Sequence, residues 1–140
     1  MNITDALTAL INGHGTLPYH ADAVRATVAD AVRDFPDVQN VSAVANRIDA
    51  ELSRLSTADA DALSVIGENV LNHTLAIARV YRAVADAFER TDDYGSGRYY
   101  NLSARSAEYS AFSFSSAVRR EIESRRRPCP TADAPGCRTR

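Results

Sequence analysis

The chain has 140 residues, of which 45% are apolar and 24% are charged, and its formal net charge is −2. This length fits one domain with its own core, and the composition disfavours both a largely disordered chain and a membrane protein. The longest uncharged stretch, residues 6–21, contains two glycines and a proline, so it is not a membrane-spanning helix. No arginine precedes Arg25, so the chain lacks the basic start of a signal peptide and is expected in the cytoplasm or in a viral particle.

Basic residues are restricted in type and uneven in position. All sixteen are arginine, and lysine is absent. Residues 1–97 carry seven arginines against fourteen acidic residues, whereas residues 98–140 carry nine arginines against four. Because acidic surfaces repel phosphates and basic surfaces attract them, the two parts should meet different partners. A GC-rich genome or a need for planar guanidinium contacts would each account for the missing lysine.

The positions of proline and glycine predict long helices. Between Pro36 and Pro128 there is no proline, and the only glycines are Gly67, Gly95 and Gly97. These two residue types break helices most strongly, so the run predicts two long helices with one reversal at the last two glycines. The predicted fold is all-α, a bundle of about five helices built on a long antiparallel hairpin (about 57–92 and 97–127).

Three shorter helices are predicted ahead of the hairpin, because apolar residues recur every three or four positions in each. The first spans residues 3–11, and the second spans about 20–35 and stops at Pro36. The third spans about 38–55, with Asp37 as its expected N-cap. These helices should cover part of the hairpin.

The fourth predicted helix follows a capping sequence at Ser56–Asp59 and carries apolar residues in a heptad frame from Leu63 onward. His73 occupies an apolar position of that frame, where it needs a hydrogen-bond partner and would fix the register of packing. On the polar face, Arg82 and Asp86 are spaced to form an ion pair. The predicted interaction seam comprises Leu63, Ile66, Val70, His73, Ile77, Val80, Tyr81, Val84 and Phe88, together with Phe114 and Val118 of the fifth helix.

The fifth predicted helix has alanines along its apolar side, which permit close approach of a neighbouring helix. It ends at Pro128. One domain is therefore expected over residues 1–127, followed by a flexible tail at 128–140. Cys129 and Cys137 lie in that tail without a CxxC spacing and are interpreted as incidental thiols.

No catalytic or metal-binding pattern is evident. The three histidines, His14, His20 and His73, lack the clustered carboxylates or cysteines that a metal centre needs. No nucleotide-binding loop is present either, since Gly95 and Gly97 follow no strand and precede no lysine. We therefore expect no cofactor, no metal and no enzymatic activity.

The apolar seam predicts a protein that works by association. We expect a homo-oligomer, a protein-binding module, or both, acting as an adaptor, scaffold or assembly component of bacterial or viral origin. The alternative is a nucleic-acid accessory protein that contacts phosphates through its basic C-terminal segment. A small all-α enzyme with an unrecognised site is a third alternative. The candidate phosphate contacts are Arg119, Arg120, Arg125, Arg126 and Arg127.

Overall fold

A computed structural model describes residues 3–4 and 16–126. Four α-helices and one short 3₁₀ turn, Leu55–Thr57, make up this part of the chain, which contains no strand. The prediction of an all-α fold is therefore confirmed. The helices are α1 (Leu17–Asp34), α2 (Gln39–Leu52), α3 (Ala60–Arg90) and α4 (Tyr94–Arg126).

Some predicted segments fall outside this part of the chain. Of the helix predicted over residues 3–11, only Ile3 and Thr4 are described, and both are helical and exposed. The predicted tail at 128–140, with both cysteines, lies wholly outside the described residues.

Local caps set the helix boundaries and shift them from their predicted places. The Thr16 hydroxyl accepts a hydrogen bond from the Tyr19 amide (3.4 Å), so α1 begins earlier than residue 20. Before α3, Asp59 is itself the N-cap, and its Oδ1 accepts from the Ala62 amide at 2.8 Å. Before α2, the N-cap is Val38 rather than Asp37, and it makes no side-chain cap bond.

The reversal between α3 and α4 lies at Thr91–Asp93, ahead of the two glycines predicted to form it. Asp92 adopts a positive φ of 61°, in the left-handed region, which reverses the direction of the chain between the two helices. Asp93 then caps α4, because its Oδ1 accepts from the Ser96 amide at 3.1 Å and its Oδ2 from the Ser96 hydroxyl at 2.8 Å. Gly95 and Gly97 consequently lie in the first turn of α4.

Gly67 and Gly97 instead allow α3 and α4, which run antiparallel, to approach each other closely. A Cβ atom added to Gly67 of α3 would lie 2.7 Å from Val118 Cγ1 of α4. At the other end of the hairpin, a Cβ atom added to Gly97 would lie 2.7 Å from Glu89 Cγ. A side chain at either position would clash with the neighbouring helix, so these two glycines limit how closely the helices pack.

The buried stripe of α3 follows the 3.6-residue period of a straight helix rather than a strict heptad. It comprises Leu63, Ile66, Gly67, Val70, Thr74, Ile77, Ala78, Tyr81 and Ala85. Thr74 therefore occupies the core position predicted for His73, which is half-buried beside the stripe. The Thr74 hydroxyl donates to the Val70 carbonyl at 2.7 Å, so this buried polar group is satisfied within its own helix.

An aromatic cluster closes the hairpin end of the core. The Phe35 ring lies 5.0 Å from that of Tyr81 and 5.9 Å from that of Tyr100, between ring centroids. Phe88 stacks on Tyr100 with centroids 5.5 Å apart. The Tyr81 hydroxyl donates to Asp34 Oδ2 at 2.7 Å, which ties the end of α1 to α3. Below this cluster, α1 packs mainly on α4, and α2 packs mainly on α3.

Polar side chains link α3 to α4 along one flank of the hairpin. Arg82 reaches across to α4, where its guanidinium donates to Glu108 Oε1 at 2.7 Å and to Asn101 Oδ1 at 3.1 Å. The ion pair predicted within α3 to Asp86 is thus replaced by one between the two helices. Asn101 also donates to Glu89 Oε1 at 3.0 Å. No helix among the described residues is long and apolar enough to cross a membrane.

Candidate functional site: the outward face of α4

Most of the predicted interaction seam lies inside the protein. Seven of its eleven residues are at most 4% exposed and pack in the core of a single chain. They are Leu63, Ile66, Val70, Ile77, Tyr81, Phe114 and Val118. These side chains are covered by the chain's own helices, so a partner must use other surfaces.

Three of the remaining seam residues, Val80, Val84 and Phe88, are half-buried at the edge of α3. Together with Ala83, Ala87 and Thr91, they line an open apolar hollow of about 480 Å³. This hollow is the part of the predicted seam that a second molecule can still reach.

A larger surface, which no other described helix covers, lies on α4, on the side turned away from α1 and α3. Leu102, Tyr109 and Phe112 are 52%, 67% and 54% exposed there. They belong to a stripe whose members alternate in spacing between four and three residues, as in a coiled-coil seam. We call this stripe the α4 outer face; it comprises Arg98, Leu102, Arg105, Tyr109, Phe112, Ser116, Arg119 and Glu123.

The charges of the α4 outer face are not neutralised by other residues of the described part of the chain. Arg98, Arg105 and Arg119 are exposed and make no ion pair among the described residues. Glu123, at the far end, likewise has no ion pair there. With a rise of about 1.5 Å per residue, Arg98 and Glu123 lie about 37 Å apart, so they cannot meet within one chain. The face therefore offers apolar, cationic and anionic groups to another molecule.

The C-terminal arginine cluster divides into residues with different surroundings. Arg119 and Arg120 are exposed on α4. Arg125 donates to the Ala58 carbonyl at 2.7 Å and pairs with Glu121, and Arg126 pairs with Asp61 at 3.0 Å. These two arginines join the end of α4 to the start of α3, although both remain solvent-accessible. Arg127 lies outside the described residues.

Sequence reasoning missed Leu102, Tyr109 and Phe112 because it followed only the first apolar stripe on the helix. A second stripe was available in the sequence. It consists of two interleaved series with a spacing of seven residues. One series is Arg98, Arg105, Phe112 and Arg119, and the other is Leu102, Tyr109 and Ser116. A second heptad pattern, opposite the buried alanines, is the signal that would have found this surface.

A small polar cavity of about 80 Å³ lies between α1 and α4, bordered by Asp30, Asp34, Tyr81, Ser103 and Ser106. Burial, followed by the hydrogen bond to the Asp34 carboxylate, raises the pKa of Tyr81, so this hydroxyl stays protonated and acts as a donor. The cavity is thus lined by carboxylates, hydroxyls and the Arg33 guanidinium. Among residues 3–4 and 16–126, no group of three or more His, Cys, Asp or Glu is placed to hold a metal ion.

An open groove of about 940 Å³ lies at the other end of the bundle. Its lining includes three leucines, Leu17, Leu52 and Leu55, and two exposed arginines, Arg120 and Arg125. It borders Thr16, the residue at which the longer described segment begins, so it adjoins chain whose position is not described.

A search against protein-family models found no match to this chain. Comparisons with curated proteins and with solved structures also gave no match. The site is therefore defined by its own geometry.

Proposed function

We propose that this protein is a non-enzymatic helical module that self-associates and binds protein partners, as an adaptor, scaffold or assembly component. One observation carries the proposal. Leu102, Tyr109 and Phe112 stand more than half exposed along one side of a helix whose opposite side is anchored in the core. Several exposed large apolar side chains on one helix face, interspersed with charged residues, are typical of interaction sites.

The energetics favour association through this face. Burying a large apolar side chain completely contributes about 1.5–3 kcal/mol, and these three are roughly half exposed, so each offers about 1 kcal/mol on binding. Together they account for about 3 kcal/mol, or about a hundredfold in the dissociation constant. The apolar hollow at Val80, Val84 and Phe88 provides a second contact surface, which suits a protein that meets more than one neighbour.

Light scattering after size exclusion tests the proposal on the full chain between about 10 and 300 μM. We expect a concentration-dependent rise in mass for the parent, and its loss in a triple variant with Leu102→Ser, Tyr109→Ser and Phe112→Ser. Val65→Ser is the matched control, because Val65 is 54% exposed but lies on α3. A parent that stays monomeric over the whole range would refute self-association.

Nucleic-acid binding is the second candidate function, supported by the same stripe. Arg98, Arg105 and Arg119 lie about 10–20 Å apart along α4 without ion pairs, and aromatic rings on which bases can stack lie between them. Fluorescence anisotropy with a labelled single-stranded oligonucleotide tests this candidate. Binding should weaken steeply with salt and should be lost when the three arginines are changed to glutamine.

A further inference from the structure

We propose that two copies of this chain pair antiparallel through their α4 outer faces. In this pairing Tyr109 of each copy packs on Phe112 of the other, and Arg98 of each copy pairs with Glu123 of the other. The inference rests on the self-association proposed above and adds its interface, direction and register. The partner is thus a second copy of the chain, bound across a two-fold axis.

The argument starts from a coincidence of spacing. Arg98 precedes Tyr109 by eleven residues, and Glu123 follows Phe112 by eleven residues. When two such helices run antiparallel with Tyr109 opposite Phe112 of the second copy, Arg98 therefore comes opposite Glu123. The two-fold axis repeats both contacts, so one register provides two aromatic pairs and two opposite-charge pairs. Those two charged residues have no ion pair in the described part of the chain.

The other arrangements are less favourable. A parallel pairing places each of Arg98, Arg105 and Arg119 against its own copy, which is repulsive. In the antiparallel register one heptad shorter, Leu102 faces Phe112 and Tyr109 faces Arg105, but Arg98 faces Ser116 and no opposite charges meet. In the register one heptad longer, Arg105 faces Glu123, but Tyr109 faces Arg119, Phe112 faces Ser116, and Leu102 faces Arg126, which already pairs with Asp61. Only the proposed register places ring against ring and opposite charges against each other; it also places Leu102 opposite Arg119, whose aliphatic stem can pack on it.

The size of the face sets the expected strength. The stripe is about 37 Å long and about 10 Å wide, so each copy contributes about 400 Å². Stable interfaces bury about 1,200–2,000 Å² in total, so this one belongs to the weak and reversible class. We expect a dimer with a dissociation constant in the micromolar range, which sedimentation equilibrium can measure.

A charge exchange between the two ends tests the register. The variants are Arg98→Glu and Glu123→Arg, each of which turns two attractive contacts in its own homodimer into two repulsive ones. Their equimolar mixture restores both attractive contacts in a heterodimer. The matched controls are Arg79→Glu and Glu68→Arg, which make the same charge changes at exposed positions of α3. All samples are kept under reducing conditions, because Cys129 and Cys137 could otherwise form intermolecular disulfides.

The expected result has three parts. Each interface variant should dimerise about tenfold more weakly than the parent, the mixture should recover most of that loss, and the control variants should stay within about twofold of the parent. Tyr109→Ser should weaken the parent and the mixture alike, since the aromatic pairs are common to both. A mixture that associates no better than either variant alone would overturn the proposed register.

The possible failures are distinguishable. If the parent dimerises but the mixture of the Arg98→Glu and Glu123→Arg variants does not recover its affinity, the register is wrong and self-association stands. If the parent is monomeric at 300 μM, both proposals fall. If the surface serves a nucleic acid, Arg98→Glu should weaken oligonucleotide binding, Glu123→Arg should strengthen it, and the mixture should show no rescue; that pattern also overturns the pairing of two copies.

Discussion

Gly67→Ala tests the close approach of α3 and α4. The added carbon would lie 2.7 Å from Val118 Cγ1 and 3.2 Å from Val118 Cβ, whereas carbon atoms pack best at about 3.5–4.0 Å. Val118 is 4% exposed, so it has little room to move away. Overpacking of this kind costs about 1–3 kcal/mol, and the better helix propensity of alanine returns about 1 kcal/mol. We expect a net loss of about 1 kcal/mol in the free energy of unfolding.

A double-mutant cycle isolates the clash. Val118→Ala alone should cost about 2 kcal/mol, because it removes two buried methyl groups and leaves a cavity. In the double variant the new methyl group of residue 67 fills part of that cavity, so the two effects should fall short of their sum by at least about 1 kcal/mol. Gly95→Ala is the control, since its added carbon meets nothing closer than Asp93 Oδ1 at 3.9 Å and should stabilise the protein.

Urea denaturation followed by circular dichroism measures the unfolding free energies of the parent and of the four variants. If Gly67→Ala stabilised the protein as much as Gly95→Ala, the packing argument would be refuted. Strict additivity with Val118→Ala would contradict it equally.

Two further predictions concern the core. Thr74→Asp buries a carboxylate without a partner and should cost at least about 3 kcal/mol, whereas His73→Asp, on the half-buried flank, should cost about 1 kcal/mol or less by the same urea assay; equal costs would mean that the core stripe of α3 is misplaced. Tyr81→Phe removes the hydrogen bond to Asp34 and should cost about 1–2 kcal/mol at pH 8. Because burial and Asp34 raise the pKa of Tyr81 in the folded state, its contribution is fully present below about pH 10, the value in an unfolded chain, and is lost as the pH rises further. The difference between parent and variant should therefore shrink between pH 9 and pH 11, and a constant difference would contradict the assignment.

The helical class and the existence of the long helices could be predicted because periodicity and the absence of breakers report directly on them. Boundaries were harder, since they depend on which polar side chain reaches a free amide. Asp59 and Asp93 do so, whereas Asp37 does not. Gly97 was read as a turn because glycine allows both a reversal and a close approach, and only the neighbouring helix decides between them.

The register of α3 shows why a heptad frame misleads on a straight helix. A strict seven-residue repeat drifts by about 20° per heptad against the 3.6-residue period. Over three heptads from Leu63 the drift carries Val84 to the flank and brings Ala85 into the core. The same drift moves His73 to the flank of the stripe, and Thr74 takes the buried position. The outward stripe of α4 could have been found from sequence, but its exposure depends on where α1 and α3 pack.

The aromatic cluster gives this chain an internal optical probe. The chain has six tyrosines and no tryptophan, so its near-ultraviolet spectrum comes from tyrosine with a minor phenylalanine component. Tyr81 and Tyr100 lie in fixed contact with Phe35, at the place where α1 docks on the hairpin. Their near-ultraviolet dichroism should therefore weaken when α1 detaches together with Phe35, even while the two long helices keep their far-ultraviolet signal and Tyr100 stays stacked on Phe88. A partially opened form would then be visible without any label.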